Sequence, residues 1–272
     1  MDNDFVGVFG YGRFGKFLCE ELQRLTKGRV PLRVYDPAAT RDALAAPKFA
    51  QTWSGAKAQA KTPSPLEFVT IPEAARAALL IFAVPISELK NALLSAAPHV
   101  SEGALVMDVC SVKMKPLEAM KLFLPPHAEI LGTHPLFGPD SAQQNRGIKG
   151  LKVVLCPVRI SPEHLDKVRS MLTSAELQVL VATAEEHDRA MAESQALFHL
   201  VARAVAEMDH PAGERQEIIT PGPARLFEDL KILLNDTPQL FLDMQRANPF
   251  AKELRRRFIE RLTEIDRELE ID

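Results

Sequence analysis

The chain has 272 residues, which at about 150 residues per domain predicts two domains. Apolar residues make up 46% and charged residues 25%, an ordinary composition for a globular protein. The formal net charge is −3, which argues against a general binder of nucleic acid or of membrane surfaces.

The three cysteines, Cys19, Cys110 and Cys156, are far apart and form no CxxC pair. We therefore expect no metal site and no disulfide framework, and a reducing cytoplasm as the compartment. Residues 1–4 lack the basic and apolar regions of a signal peptide. Since no apolar window approaches the length of about 18 residues that spans a bilayer, we expect no membrane segment.

Short apolar segments alternate with helical patterns over the first two thirds of the chain. The predicted strands are residues 5–9, 30–36, 79–84, 104–109, 129–131, 153–158 and 178–181. Helices are predicted between most of them, at residues 16–25, 86–97, 115–123 and 162–174. This alternation indicates βαβ units and a mostly parallel sheet.

The pattern changes near Thr183, after which helices are predicted at residues 186–208, 223–234 and 250–270. Asn248-Pro249 predicts the start of the last helix, with the asparagine as N-cap. Apolar residues recur in that helix at spacings of three or four, namely Leu254, Phe258, Leu262, Ile265 and Leu269. We expect an α/β domain over residues 1–184 and an all-helical domain over residues 185–272 that pairs with a second copy in a homodimer.

Gly10, Gly12 and Gly15 form a G-x-G-x-x-G pattern that follows the first predicted strand and opens the first helix. In dinucleotide-binding domains the first glycine permits a tight turn, the second admits the pyrophosphate, and the third allows close helix packing. Arg13 and Phe14 lie within this turn and are candidate cofactor contacts. The strand–turn–helix context favours a Rossmann-type domain over glycines of an ordinary surface turn.

Asp36 lies at the end of the second predicted strand, 21 residues after Gly15. A carboxylate there accepts hydrogen bonds from both ribose hydroxyls and repels the 2′-phosphate of NADP. The predicted cofactor is therefore NAD, with NADP less favoured. Arg33 and Arg41 are nearby and would soften this preference.

Three further segments stand at predicted strand ends, where ligands gather in open α/β sheets. Val84-Pro85 ends one strand and is a candidate cofactor contact, with an ordinary strand end as the alternative. Residues 108–113, Asp-Val-Cys-Ser-Val-Lys, end the next, and residues 132–140, Gly-Thr-His-Pro-Leu-Phe-Gly-Pro-Asp, end the one after it. The last segment is rich in turn formers, so we expect His134 on a rigid loop, where a catalytic role is favoured over a structural one.

These segments resemble the prephenate/arogenate dehydrogenases of tyrosine biosynthesis. A further similar stretch runs from Glu186-His187-Asp188-Arg189 through Ser194-Gln195-Ala196 to His199. The similarity runs in order from about residue 5 to residue 240, and residues 133–139 are its most specific part. It implies a Rossmann domain followed by a helical dimerisation domain, and an NAD(P)-dependent oxidative decarboxylation of a cyclohexadienyl carboxylate.

The resemblance also implies roles for individual residues. His134 corresponds to the family histidine that acts as general base on the ring hydroxyl, and Ser111 to a serine that contacts the same hydroxyl. His199 corresponds to a histidine near the substrate, and Gln195 is similarly placed. At ~100° per residue, Asp188, Gln195 and His199 fall within about 20° of one direction of a single helix, which predicts a common polar partner or an interdomain hydrogen-bond network.

One departure from the family concerns the substrate carboxylate. Many members carry an arginine just before an Asp-Pro turn, and alignment through residues 235–238 places Lys231 there, with Arg225 one and a half turns earlier. Lysine keeps the charge but loses the bidentate fork of arginine. Either residue is a candidate for binding the carboxylate, or the substrate is arogenate, in which an ammonium replaces the keto group. Prephenate and arogenate both stay open.

Two other functions fit the same pattern. One is a different Rossmann-plus-helical dehydrogenase that acts on a hydroxy acid, for which Lys231 is the candidate lysine. The other is a non-catalytic dinucleotide-sensing protein, which would need neither Ser111 nor His134. The prediction is an enzyme that acts on a small molecule, with no nucleic-acid or membrane partner.

Overall fold

The computed structural model describes residues 4–38, 66–208 and 219–270, except the side chains of residues 229 and 231–234. The chain divides into two compact units, of which the first comprises Met1–Cys110 and Pro116–Thr183 and the second Ser111–Lys115 and Ala184–Asp272. The predicted domain boundary divides the chain at a single point, between residues 184 and 185. The structure instead groups the short segment Ser111–Lys115 with the helical unit.

The first unit is built on a single sheet, which has eight strands among the described residues. These are β1 Val6–Phe9, β2 Leu32–Tyr35, β3 Leu66–Phe68, β4 Leu79–Phe82, β5 Leu105–Asp108, β6 Glu129–Pro135, β7 Lys152–Arg159 and β8 Gln178–Val181. Their order is β3-β2-β1-β4-β5-β6-β7-β8, and only β6 and β7 pair antiparallel. The chain order reverses between β1 and β4, so the carboxyl ends of these strands flank the crevice where such sheets bind ligands.

The helices of this unit are α1 Arg13–Leu25, α2 Ile71–Ala75, α3 Ile86–Ala96, α4 Met114–Phe123, α5 Pro139–Gln144 and α6 Pro162–Ser174. The two residues at the start of α4 belong to the helical unit. The four predicted helices are confirmed. β3, α2 and α5 were not predicted, because segments of three to six residues are too short to show a hydrophobic period.

The core of the sheet follows directly from its register. Val34, Val8, Ile81, Met107 and Leu131 are paired side by side across β2, β1, β4, β5 and β6. All five are buried in one hydrophobic cluster. Because these strands are apolar on both faces, the parallel sheet is covered on both sides.

The second unit contains α7 Ala184–Met191, a π-helical turn at Ala192–Ala196, α8 Leu197–Glu207, α9 Pro221–Leu234, α10 Pro238–Ala247 and α11 Ala251–Leu269. The long helix predicted at 186–208 is thus interrupted by a π-turn. Asn248 does not cap α11 as predicted, because that helix begins two residues later, after Phe250. Among the residues described, no helix is both long and apolar enough to cross a bilayer.

Candidate active site

The glycine turn joins β1 to α1 at the crevice. Gly10 has a φ of +98°, and a Cβ added to it would lie 2.4 Å from the carbonyl oxygen of Ala83 at the end of β4. A Cβ added to Gly15 would lie 2.2 Å from the carbonyl oxygen of Gly10. Both positions therefore need glycine for close backbone packing.

Gly12 serves a different purpose in the same turn. A Cβ added to it meets no described heavy atom within 4 Å. Gly12 is also the N-cap of α1 and has no side chain to bond the first-turn N–H groups. Open space at the N-terminus of a helix whose N-cap offers no side-chain acceptor is what a pyrophosphate requires, so this turn fits a dinucleotide.

Asp36 follows β2 and is bound to the glycine turn. One carboxylate oxygen accepts the backbone N–H of Tyr11 at 2.6 Å, and the other accepts that of Ala38 at 2.8 Å. An ionised carboxylate offers about four acceptor positions, so both oxygens keep capacity for ribose hydroxyls. Of the two nearby arginines, Arg33 stacks on the ring of Phe5, and Arg41 lies outside the described residues.

Two contacts join α1 to the segment after β6. The guanidinium of Arg13 forms an ion pair with Asp140, in the first turn of α5. The ring of Phe17 lies 6.3 Å from that of Phe137 and 5.8 Å from that of Phe14. The N-terminus of α1 is thereby held next to the strand that carries His134.

Val84 and Pro85 lie where the sequence predicts a strand end. The N–H of Ala83 donates to the carbonyl oxygen of Phe9 at 2.7 Å, which ties the end of β4 to that of β1. Pro85 is the N-cap of α3. Both residues therefore stand beside the glycine turn, the position expected of cofactor contacts in this fold.

His134 lies in β6 and is 3% exposed. The prediction of a loop is wrong, because pairing with antiparallel β7 extends the strand through the predicted turn and sets His134 opposite Val154. Asp108, which is fully buried, accepts the N–H of Thr133, and its carbonyl oxygen accepts the Thr133 hydroxyl. The carboxyl ends of β5 and β6 are thus joined, and the histidine backbone is fixed at this edge.

In the helical unit, the buried carboxylate of Asp188 accepts the N–H groups of Lys113 at 2.6 Å and Met114 at 2.9 Å. His187 lies beside it, with Nδ1 at 2.8 Å from Asp188 Oδ1. These bonds explain why the segment with Ser111 belongs to this unit. Sequence reasoning aligned Asp188 with Gln195 and His199 but missed this role, because the partners lie about seventy-five positions earlier in the chain.

Within the described part of the chain, Gln195 and His199 have surroundings that differ from those of Asp188. The π-turn adds a residue to the helical loop, so a constant ~100° advance does not hold between residues 188 and 199. Gln195 lies in that turn, and its buried Oε1 has no hydrogen-bond partner among the described residues. His199 is 4% exposed, with Nε2 at 3.7 Å from Asp236 Oδ2, and burial lowers its pKa below the ordinary value.

The two candidate cations for the substrate carboxylate are both on α9. Arg225 is exposed. The side chain of Lys231 lies outside the described residues.

Two family models match the chain. Residues 56–181 match the nucleotide-binding domain of prephenate dehydrogenase, and residues 183–272 match its dimerization domain. The first match begins beyond the glycine turn, so that turn supports nucleotide binding independently.

Among curated relatives, a probable arogenate/prephenate dehydrogenase from Methanocaldococcus jannaschii is 30% identical over 193 residues, covering 69% of this chain and 42% of that protein. Arogenate dehydrogenase 1, chloroplastic, from Arabidopsis thaliana is 26% identical, covering 73% of this chain and 29% of that protein. The chain thus spans less than half the length of these two relatives.

A crystal structure of prephenate dehydrogenase from Aquifex aeolicus, in complex with hydroxyphenyl propionate and NAD+, has the same fold. It matches with a TM-score of 0.70 at 20% identity and covers 98% of this chain and 92% of that one. The nucleotide-binding and dimerization models together account for residues 56–181 and 183–272, so the chain belongs to the prephenate/arogenate dehydrogenase family.

Proposed function

We propose that this protein catalyses the NAD-dependent oxidative decarboxylation of prephenate or arogenate. The observation that carries the proposal is the carboxyl edge of the sheet, where the open space at Gly12 and a buried histidine near the end of β6 belong to one compact unit. Family membership supports the substrate class. When bound, NAD+ would accept a hydride.

His134 is proposed as the general base. It would take up the proton of the ring hydroxyl while hydride leaves the carbon that bears this hydroxyl. The carboxylate on the opposite ring carbon then leaves as CO2, and its bonding electrons complete the aromatic ring as a phenolate, which takes the proton back from His134. The products are one phenol, one CO2 and one reduced nicotinamide, so atoms and electrons balance. Such a base contributes about 10²–10⁴-fold to the rate.

Ser111 is proposed to bind the same hydroxyl. Gln195 and His199 are proposed to contact the rest of the substrate, with Arg225 or Lys231 as the partner of its carboxylate. No described residue bonds the buried Oε1 of Gln195, which supports a binding role, because a buried acceptor without a donor is costly unless a ligand supplies one.

NAD is the proposed cofactor, with NADP less favoured. Asp36 supports this choice because its two oxygens keep acceptor capacity for the ribose hydroxyls. A 2′-phosphate would instead meet the negative charge of this carboxylate.

A homodimer is the proposed assembly. Every residue from 259 to 270 is exposed, yet the segment includes Ile259, Leu262, Ile265 and Leu269. A second copy of the chain would cover this apolar stripe, in accord with the match of residues 183–272 to a dimerization domain.

Initial rates with prephenate and with arogenate, each with NAD and with NADP, test the proposal through the absorbance of the reduced nicotinamide. Reduction of NAD with either substrate is expected. A folded protein that reduces neither cofactor with either substrate would overturn the function. Turnover of a hydroxy acid alone would favour the other dehydrogenase class, and dinucleotide binding without turnover of any substrate would favour a sensor.

A further inference from the structure

The beginning of α4 is capped from another helix. Helix α4 begins at Met114, and its first N–H groups need acceptors that the helix itself does not supply. The carboxylate of Asp188 supplies them from α7, since Oδ1 accepts from Lys113 and Oδ2 from Met114. Asp188 thus caps a helix that begins 74 positions earlier in the chain.

The carboxylate is fully buried, so its charge is tolerable only because its oxygens are bonded. The two backbone donors and the adjacent Nδ1 of His187 surround it. An anion at the N-terminus of a helix is further stabilised by the helix dipole. These bonds fix the position of the Asp188 carboxylate, so a displacement of the carboxylate would also displace the backbone of Lys113 and Met114.

The backbone of Asp188 is in turn held by Asn248. The side-chain amide of Asn248 donates to the carbonyl oxygen of Asp188 at 2.7 Å, and its Oδ1 accepts the N–H of Phe250 at 2.9 Å. The start of α11 is thus joined to α7 at this residue. All of these groups belong to the helical unit, as does Ser111, two residues before the first capped N–H.

We propose that Asp188 is a positioning residue for catalysis, which holds the segment 111–115 so that Ser111 meets the ring hydroxyl. This inference rests on the proposed function. Asp188 acts through backbone bonds and touches neither substrate nor cofactor. Its removal is expected to lower kcat about 10–100-fold, as small misplacements of reacting groups do, with the KM for NAD changed less than about twofold.

The test combines Asp188→Asn with Ser111→Ala in a double-mutant cycle. Asn removes the charge and turns an NH2 group toward a backbone N–H. If Asp188 acts through Ser111, Asp188→Asn should cost less than about threefold in kcat when Ser111 is already Ala. Asp243→Asn is the matched control, because Asp243 is a buried carboxylate of the same unit that bonds Gln239 instead.

Loss of thermal stability without loss of kcat, or additive losses in the cycle, would overturn the inference and leave Asp188 purely structural. If Asp188→Asn does not fold, Asn248→Ala replaces it, since it releases the support of Asp188, together with the bond to the N–H of Phe250, and leaves the carboxylate of Asp188 in place. A loss of about three- to tenfold in kcat, absent in the Ser111→Ala background, is then expected. A wild-type protein inactive on both substrates would defeat the proposed function instead, so the two failures are distinguishable.

Discussion

At the residue scale, the proposed chemistry depends most on His134. Replacing it with Asn keeps a polar side chain of similar size but removes the base. We expect kcat to fall about 10²–10⁴-fold, the usual contribution of a general base.

The dissociation constant of the His134→Asn variant for NAD, measured by fluorescence titration, should stay within about twofold of wild type, because the glycine turn and Asp36 are unchanged. His127→Asn is the control and should keep full activity, because His127 precedes β6 and lies beside the carbonyl oxygen of Val100. A fully active His134→Asn enzyme would refute the assignment.

The glycine turn offers a second residue-scale prediction. Gly12→Ala should fold normally, since the added Cβ meets no described atom within 4 Å and the cost at an N-cap is about 1 kcal/mol or less. It should nevertheless weaken NAD binding by about tenfold or more, because the methyl group occupies the space proposed for the pyrophosphate.

Gly15→Ala is the matched comparison. Its Cβ would lie 2.2 Å from the Gly10 carbonyl oxygen, so the melting temperature should fall as well. Equal NAD affinity in Gly12→Ala and wild type would count against a pyrophosphate site at Gly12.

At the scale of elements, Glu129 joins the start of β6 to the start of α6. Its carboxylate accepts the N–H of Ser161 at 2.9 Å and lies 2.5 Å from Nδ1 of His164. Burial alone would raise the pKa of Glu129, but the bonds from His164 and Ser161 outweigh it and lower the pKa below its ordinary value near 4.5. The ionised Glu129 carboxylate therefore stabilises the folded state fully above pH 4.5, and this stabilisation is lost as the pH falls through the pKa of the folded state.

We expect Glu129→Gln to lower the free energy of unfolding at pH 7 by about 1 kcal/mol or less, since the pair is partly exposed to solvent. The difference from wild type should shrink as the pH falls below 4.5 and through the lower pKa of the folded wild-type carboxylate, which then becomes protonated. Urea unfolding across this pH range measures it. A difference that stays constant into acid would show that the ionisation of Glu129 contributes nothing.

At the scale of the whole molecule, the proposed dimer predicts a mass in solution of twice the chain mass of 30.1 kDa. Leu262, which is 50% exposed, lies in the apolar stripe of α11. Leu262→Glu should give monomers in sedimentation velocity. Burial of a leucine side chain stabilises an interface by about 1.5–3 kcal/mol, and a twofold-symmetric dimer loses this contribution once in each copy. Glu260→Lys, about 200° around the helix, should leave the dimer intact. A wild-type monomer would contradict the proposed assembly.

The sequence alone determined the features that depend on neighbouring residues. The alternation of apolar segments and helical patterns predicted seven of the eight strands described, because burial on both faces of a parallel sheet leaves a local signature. The glycine turn and Asp36 were also predictable, since a tight turn and an acid at a strand end are local chemistry.

Tertiary structure decided the rest, because each remaining feature depends on a distant partner. The length of β6, and with it the burial of His134, follows from pairing with β7, which enters the sheet antiparallel. Ser111 belongs to the helical unit because Asp188 binds the backbone that follows it, across 75 positions of chain. Local periodicity carries no information about such pairings, since only the folded chain brings the donor and the acceptor together.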